Sequence, residues 1–485
     1  MAAVMFELEG RLPTHPEVGP AETGRFDGLP TTECPTGSLT FVRLLASVGF
    51  LEVANAGDFA ANVFNANPVP VYAMVIMALG GVVAFTMIYF AAMDCRLALR
   101  NLRGLREERR YLQSERRRHA QGQHGAMLLT IDCLLNINFR ESGMEVIDRL
   151  VMDTLLGTGA FFVGIGTFMA IDGQNSRIYR ASNLLTGYMG NAPCALYGLM
   201  NFLWSTVYVW RRATRHKAAA LPHVRDRRFR DLLQMRASSV QFHGALNGAS
   251  GIVAGASAMI TATLWWGYVV LAPCLVTSAL INGFWRKRVG YDRSFVRDLV
   301  PMDDETILEA LAVVDDSHRR FLLHSEKDDP LPALVSNPKS LSSVIEFITE
   351  NQLFEEFCLR VLREADLSDK LFGAADRVTI SWRDITAITD EAVASRLIRM
   401  ASQMIRDRAP TCFRHQERFL LEALGCHMYM TAETTKRGHV SGAAAEARRD
   451  DPRYRGARTE IGRHTNDWIF GGFSVSRLVR SAFVT

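Results

Sequence analysis

Gly244 to Trp285 reads GALNGASGIVAGASAMITATLWWGYVVLAPCLVTSALINGFW, carries no charged side chain and is closed by Arg286, Lys287 and Arg288. At a rise of about 1.5 Å per residue, a single helix of this length would reach roughly twice the hydrocarbon thickness of about 30 Å. The stretch therefore predicts two spans folded back on each other. Trp265, Trp266 and Tyr268 surround Gly267 near its middle. Amphipathic aromatics collect where hydrocarbon meets headgroups, so the turn is expected at an interface.

Working outward, three more segments read as spans. Val71 to Met93 is uncharged and follows Pro68 and Pro70, which suit a helix start. Leu150 to Ile171 is entered past Arg149 and left at Asp172, and Leu184 to Trp210 ends at Arg211, Arg212 and Arg215. Basic flanks (Arg96 to Arg118, the 211–243 linker, and Arg286 to Arg288) mark one side as cytosolic, whereas residues 1 to 70 are acidic. The predicted fold is all-α: a polytopic transmembrane helix bundle of five spans at about 71–93, 150–171, 184–210, 244–263 and 267–285, with the N-terminus outside. Basic cytosolic loops are expected at 94–149 and 211–243, and anionic lipid headgroups are their expected partners. Residues 126 to 138 are too short to span and are expected to cover the bundle or to float at the interface. Residues 39–70 read as an interfacial segment; a span at 39–54 would make six. Residues 1–38, acidic and rich in proline and glycine, read as a disordered tail without a signal-peptide pattern.

Beyond Arg288 the composition becomes that of ordinary soluble protein. Apolar residues recur at i, i+3, i+4 and i+7 in 303–323, 340–364, 384–408 and 412–430, which predicts a cytosolic helical domain over 289–430, followed by a loose tail over 431–485. Asp303 after Pro301 is a predicted helix start.

The chemistry implied is sparse. The chain has no phosphate-binding glycine loop, no dinucleotide fingerprint, no nucleophile elbow and no HExxH. Its eight cysteines include no CxxC pair, and His318, His324, His415 and His427 lack ligand spacing and read as surface residues. No catalytic, cofactor or metal site follows, so the chain does not read as an enzyme. The arginine runs adjoin spans without interleaved aromatics, which argues against nucleic acid. Three polar positions inside spans stand out as candidates for a site: Asp153, Asn191 beside Pro193, and Asn247. For Asp153 the structural alternative is snorkelling or pairing with Arg149; for Asn191 with Pro193 it is a packing kink. Gly244, Gly248, Gly251 and Gly255 form small-xxx-small pairs that suit close helix packing.

At residues 99–112 (LRNLRGLREERRYL), 131–157 (IDCLLNINFRESGMEVIDRLVMDTLLG) and 182–192 (SNLLTGYMGNA), the chain resembles a family of multi-spanning integral membrane proteins of filamentous fungi, the UsgS type. The resemblance implies a fungal source and a multi-pass membrane location, and it carries over no catalytic or binding residue. The function expected is that of a scaffold or regulatory protein whose domain 289–430 binds a cytosolic protein partner; the alternative is a small-solute transporter or channel, motivated by Asp153, Asn191 with Pro193, Asn247 and Asn282 at span positions.

Overall fold

In the computed structural model, residues 23–27, 38–39, 59, 69–121, 125–294, 296, 299–325, 331–351, 353–364, 366–367 and 377–450 are described. The architecture is helical. The first helix, α1 (Val71–Gln121), runs 51 residues without a break, about 75 Å at 1.5 Å per residue. Its buried positions include Met77, Ala84, Ala91, Ala98, Leu105 and Leu112, a seven-residue repeat that keeps one seam facing its neighbours. Val71, Val75, Leu79, Val82, Tyr89 and Met93 point outward along its first half. An apolar outer face of this extent suits a hydrocarbon surround.

The next rod comprises α2 (Gly125–Met144), a π-helical segment (Glu145–Val151) and α3 (Met152–Ala170). A third contains α4 (Ser176–Asn183), a π segment (Leu184–Gly190), α5 (Asn191–Phe202), a further π segment (Leu203–Trp210) and α6 (Arg211–Ala220). The hairpin follows. Its first arm is α7 (Arg227–Thr261), capped by Asp226, whose side chain accepts from Arg228 N–H at 2.8 Å. Its second is α8 (Gly267–Phe284), ending in a π segment (Trp285–Val289). Trp265 and Trp266 are exposed at the turn between them, where the aromatic cluster had placed it.

Helix runs through both basic connections, 94–149 and 211–243: α1, α2, α6 and the start of α7 occupy most of them, because arginine and leucine are both good helix formers and leucines such as Leu102, Leu105 and Leu233 find buried partners. Among the described residues three helices, Val71–Ala120, Gly125–Ala170 and Gly267–Val289, are long and apolar enough to cross a membrane. Residues 184–210 and 244–263 form helices but are not among those three. Asn191, Asn201, Ser205 and Thr206 dilute the first, and Asn247, Ser250 and Ser257 the second.

Glycines let α7 approach the third rod. A Cβ on Gly198 would lie 2.3 Å from the Gly251 carbonyl oxygen, and one on Gly255 would lie 2.8 Å from Ala195 Cα. The stripe read from the sequence is therefore a packing surface.

The C-terminal part comprises α9 (Asp304–Ser325), α10 (Leu331–Leu334), α11 (Leu341–Glu350), α12 (Phe354–Arg363), α13 (Trp382–Thr386) and α14 (Glu391–Asp450). Asp303 caps α9: its Oδ1 accepts from Thr306 N–H at 2.8 Å. Phe357, Leu397, Met404 and Phe413 belong to a core of its own. The rest of α14 behaves differently. Leu421, Leu424 and Met428 pack with Ala220 and Leu233, and Ala423 and Cys426 with Cys133 and Ile137. The predicted domain 289–430 is thus fused to the bundle along half of its longest helix, and that helix runs to Asp450 through part of the predicted loose tail. His427, expected at the surface, is buried in this seam.

Two short strand pairs complete the description. β1 (Thr23–Asp27) lies antiparallel to β4 (Arg377–Ser381), and β2 (Ser38–Leu39) to β3 (Arg293–Ser294). Residues 23–27 therefore depart from the disordered tail expected of 1–38. The remainder of that tail, nearly all of the 39–70 segment and residues 451–485 lie outside the described residues.

Candidate functional site: a polar chamber within the helices

Between helices that are apolar on the outside lies a partly open chamber, its wall largely apolar but set with charged, amide and hydroxyl side chains. It offers about 50 Å³ to water centres, room for about three or four waters at roughly 10–15 Å³ each. Its upper wall is amide and hydroxyl. Asn247 Nδ2 of α7 donates to Asn201 Oδ1 of α5 at 3.0 Å and to Ser205 Oγ at 3.1 Å, and Ser205 Oγ donates to Asn201 Oδ1 at 3.0 Å. From α8, Asn282 lines the chamber with its Nδ2 buried and lacking a hydrogen-bond partner among the described residues. A buried amide donor left unpaired is costly, so it marks a place where a guest would gain.

Charge enters from the π segment Glu145–Val151. A π turn inserts one extra residue into the helix, which re-aims side chains and frees backbone groups, and such turns gather at functional sites. Here Glu145, Asp148 and Arg149 all line the chamber, and the π segment ending α8 adds Trp285 and Val289. Arg149 donates to both Glu145 oxygens at 2.9 Å and to Asp94 Oδ1 of α1 at 2.5 Å. Asp148 Oδ1 is buried without a hydrogen-bond partner among the described residues.

The chamber's floor is an ionic network at the basic end of the rods. Arg140 Nη2 donates to Tyr291 Oη at 2.8 Å, and Tyr291 Oη donates to Glu141 Oε1 at 3.1 Å. Arg293 binds Glu141 at 2.5 Å and Glu108 at 2.6 Å, so it bridges α1 and α2. On the other side of Arg140 lies Glu422 of α14, at 3.1 Å from Arg140, 3.3 Å from Arg212 and 4.0 Å from Arg236. Burial alone would raise the Glu422 carboxyl; these guanidiniums, with His216, outweigh it and hold the group well below the ordinary carboxylate range. His216 is pushed down to about 3 by burial and then by Arg212. Burial also raises the Tyr291 phenol well above its ordinary range, so it stays a neutral donor.

Of the polar span positions named from the sequence, Asn247 and Asn282 line the chamber. Asn191 donates to Thr261 Oγ1 at 3.3 Å and fastens α5 to α7, the structural alternative for that position. Pro193 follows the π segment Leu184–Gly190, which takes up the disruption. Asp153 is buried at the α1–α3 contact, next to the chamber but not in its wall; it does not snorkel, and Arg149 donates to Asp94 and Glu145 instead. Glu141, Glu145, Asp148, Asn201 and Tyr291 escaped the sequence reading. The acidic residues sit in a stretch that reads as a flank, and Asn201 looks like an isolated polar dilution. Among the described residues no group of three or more His, Cys, Asp or Glu side chains is placed to hold a metal ion. No protein-family model, no curated protein and no solved structure matches the chain.

Proposed function

We propose that the chain is a multi-pass membrane protein of five spans, without a catalytic site, that binds a small polar solute in this chamber and passes it across the bilayer. The observation that carries the reading is the unpartnered, buried Asn282 amide facing a water-sized space inside apolar helices, opposite Asn201 and Asn247. With Arg149 and Arg140 against Glu145, Glu141 and Asp148, the wall presents both signs of charge, which suits a zwitterionic or hydroxylated solute of a few heavy atoms. The chamber lies between the hairpin α7–α8 and the rod α2–α3, so rocking of one against the other would open it to either side.

The test uses the full chain in lipid nanodiscs, with glycine, betaine and glycerol as probes of the two solute types. A bound solute raises the melting temperature, by the equivalent of about 2.7 kcal/mol at a hundred times Kd. Asn247→Leu and Asn282→Leu should abolish that rise, and proteoliposomes should take up the same solute. If no probe of either type raises the melting temperature or enters proteoliposomes, the reading is overturned.

A second reading is favoured by one observation: Val313, Leu322 and Leu323 of α9 are exposed on the C-terminal part. A protein partner docking there is the scaffold role. Leu322→Glu with Leu323→Glu should then release a cross-linked partner from the membrane fraction, and capture that is unchanged would exclude this face.

A further inference from the structure

Asp153 is the carboxyl whose two oxygens both lack a hydrogen-bond donor among the described residues. It is 1% exposed, on the first turn of α3 where that helix lies against α1: the next residue, Thr154, has its Oγ1 3.9 Å from Cys95 Sγ, and Asp94, adjacent to Cys95, is also 1% exposed. Asp94 Oδ2 lacks a donor as well. The guanidinium nearby is committed, with Arg149 Nη2 on Asp94 Oδ1 at 2.5 Å and Nη1 on Glu145 at 2.9 Å. The charged and titratable groups facing Asp153 are Asp94 and Cys95 of α1 and Glu145 and Arg149 of the π segment. Cys194 and Tyr197 of α5 lie in the adjoining apolar layer with Ala91, Met152 and Leu156 and bring no charge.

Three buried carboxyls around one guanidinium leave an excess of two negative charges if all are ionised, in surroundings that strongly disfavour even one. Two carboxylates in contact repel. Two carboxyls sharing one proton form an O–H···O⁻ bond, among the strongest hydrogen bonds in proteins, and the unpaired oxygens of Asp153 and Asp94 are the atoms that would make it. We infer that Asp94 and Asp153 hold a single shared proton and constitute a proton-binding site beside the chamber, with Arg149 as its link to the chamber wall. Loss of the proton leaves Asp94 and Asp153 both charged and competing for Arg149, which then loosens Glu145 and changes the charge offered to the solute. That coupling rests on the chamber reading; the proton itself does not.

Infrared spectroscopy of the full chain in nanodiscs at neutral pH, in H₂O and D₂O, tests the assignment. A protonated-carboxyl C=O band that shifts in D₂O is expected, absent from Asp153→Asn, with the melting temperature of that variant unchanged or raised. Asp94→Asn supplies a second route, because its amide donates to Asp153 and removes the need for a proton; the band should vanish there too, so either variant suffices if the other fails to fold. No band in the native chain, or a band that survives both substitutions, overturns the assignment. So does a melting temperature that rises with Na⁺ or K⁺ at fixed ionic strength in the native chain but not in Asp153→Asn, which would give the site to a cation. Asn247→Leu should keep the band while losing solute-induced stabilisation, so failure of the proton site and failure of the chamber reading are told apart.

Discussion

Glu422 Oε2 of α14 lies 3.1 Å from Arg140 Nη1 of α2, with both side chains buried. The last long helix is therefore keyed into the second rod by charge, and the C-terminal part does not simply hang from the end of the hairpin. Arg212 and Arg236 converge on the same carboxylate, which places α6 and α7 in the joint.

Glu422→Leu should be among the most damaging single substitutions outside the spans. It leaves Arg140, Arg212 and Arg236 buried around no anion, and breaking a buried pair from one side costs about 3–5 kcal/mol. Melting of the purified chain and protease cleavage within α14 report it. A loss under about 1 kcal/mol would mean that water already reaches these arginines.

Arg293 makes the mirror-image case, one guanidinium between Glu108 and Glu141. Arg293→Met alone should cost about 3–5 kcal/mol by stranding two carboxyls, whereas Arg293→Met combined with Glu108→Leu and Glu141→Leu should regain most of it, since a well-packed apolar replacement of an ionic triad is often neutral. Equal melting temperatures for the single and triple variants would refute the stranding account.

Helix contact can be probed by a pair of glycines. Gly198→Ala drives a methyl into the Gly251 carbonyl and should cost about 1–3 kcal/mol through separation of α5 from α7. Gly283→Ala meets nothing within 4 Å and should be neutral or gain up to about 1 kcal/mol of helix propensity. The ordering of the two melting temperatures is the readout.

Acid should weaken the joint through its histidines before it reaches Glu422. Burial and then Arg212 lower His216 to about 3, and burial and then Arg418 and Arg414 lower His415 to about 4. His415 Nδ1 accepts from Asp292 N–H at 3.2 Å, as a neutral ring does. For a histidine lowered in the folded state, the unfolded chain binds the proton first. The stabilisation is complete above about pH 6.5 and declines as pH falls towards 3 to 4, by up to about 1.4 kcal/mol per pH unit per group. Glu422, also lowered, contributes fully above the ordinary carboxylate range, and its contribution declines only as pH falls through and below that range. Stability measured from pH 7 to pH 4 should fall less steeply in His216→Gln than in the native chain; identical slopes would refute the assignment.

Much of the scaffold was legible because it depends on local properties. The uncharged run Gly244 to Trp285, its aromatic midpoint, the glycine stripe and the cap at Asp303 are each decided within a few turns of helix. The continuation of α1 through its arginine flank was legible in the helical spacing of Leu97, Leu99, Leu102, Leu105 and Leu112; what those leucines would pack against was not, because charge marks which side a segment faces and says nothing of its neighbours.

The sequence by itself determined that long apolar helices alternate with basic flanks, because helix periodicity and charge asymmetry are written in consecutive residues. Only the tertiary structure decided that Asn201, Asn247 and Asn282 share one chamber, that Asp153 and Asp94 are buried where α3 lies against α1, and that Glu422 closes on three arginines. Those residues come from separate helices, and a polar group in one helix says nothing of which partner another will bring to it. Burial makes the pairing necessary, and the packing of the rods alone chooses the pair.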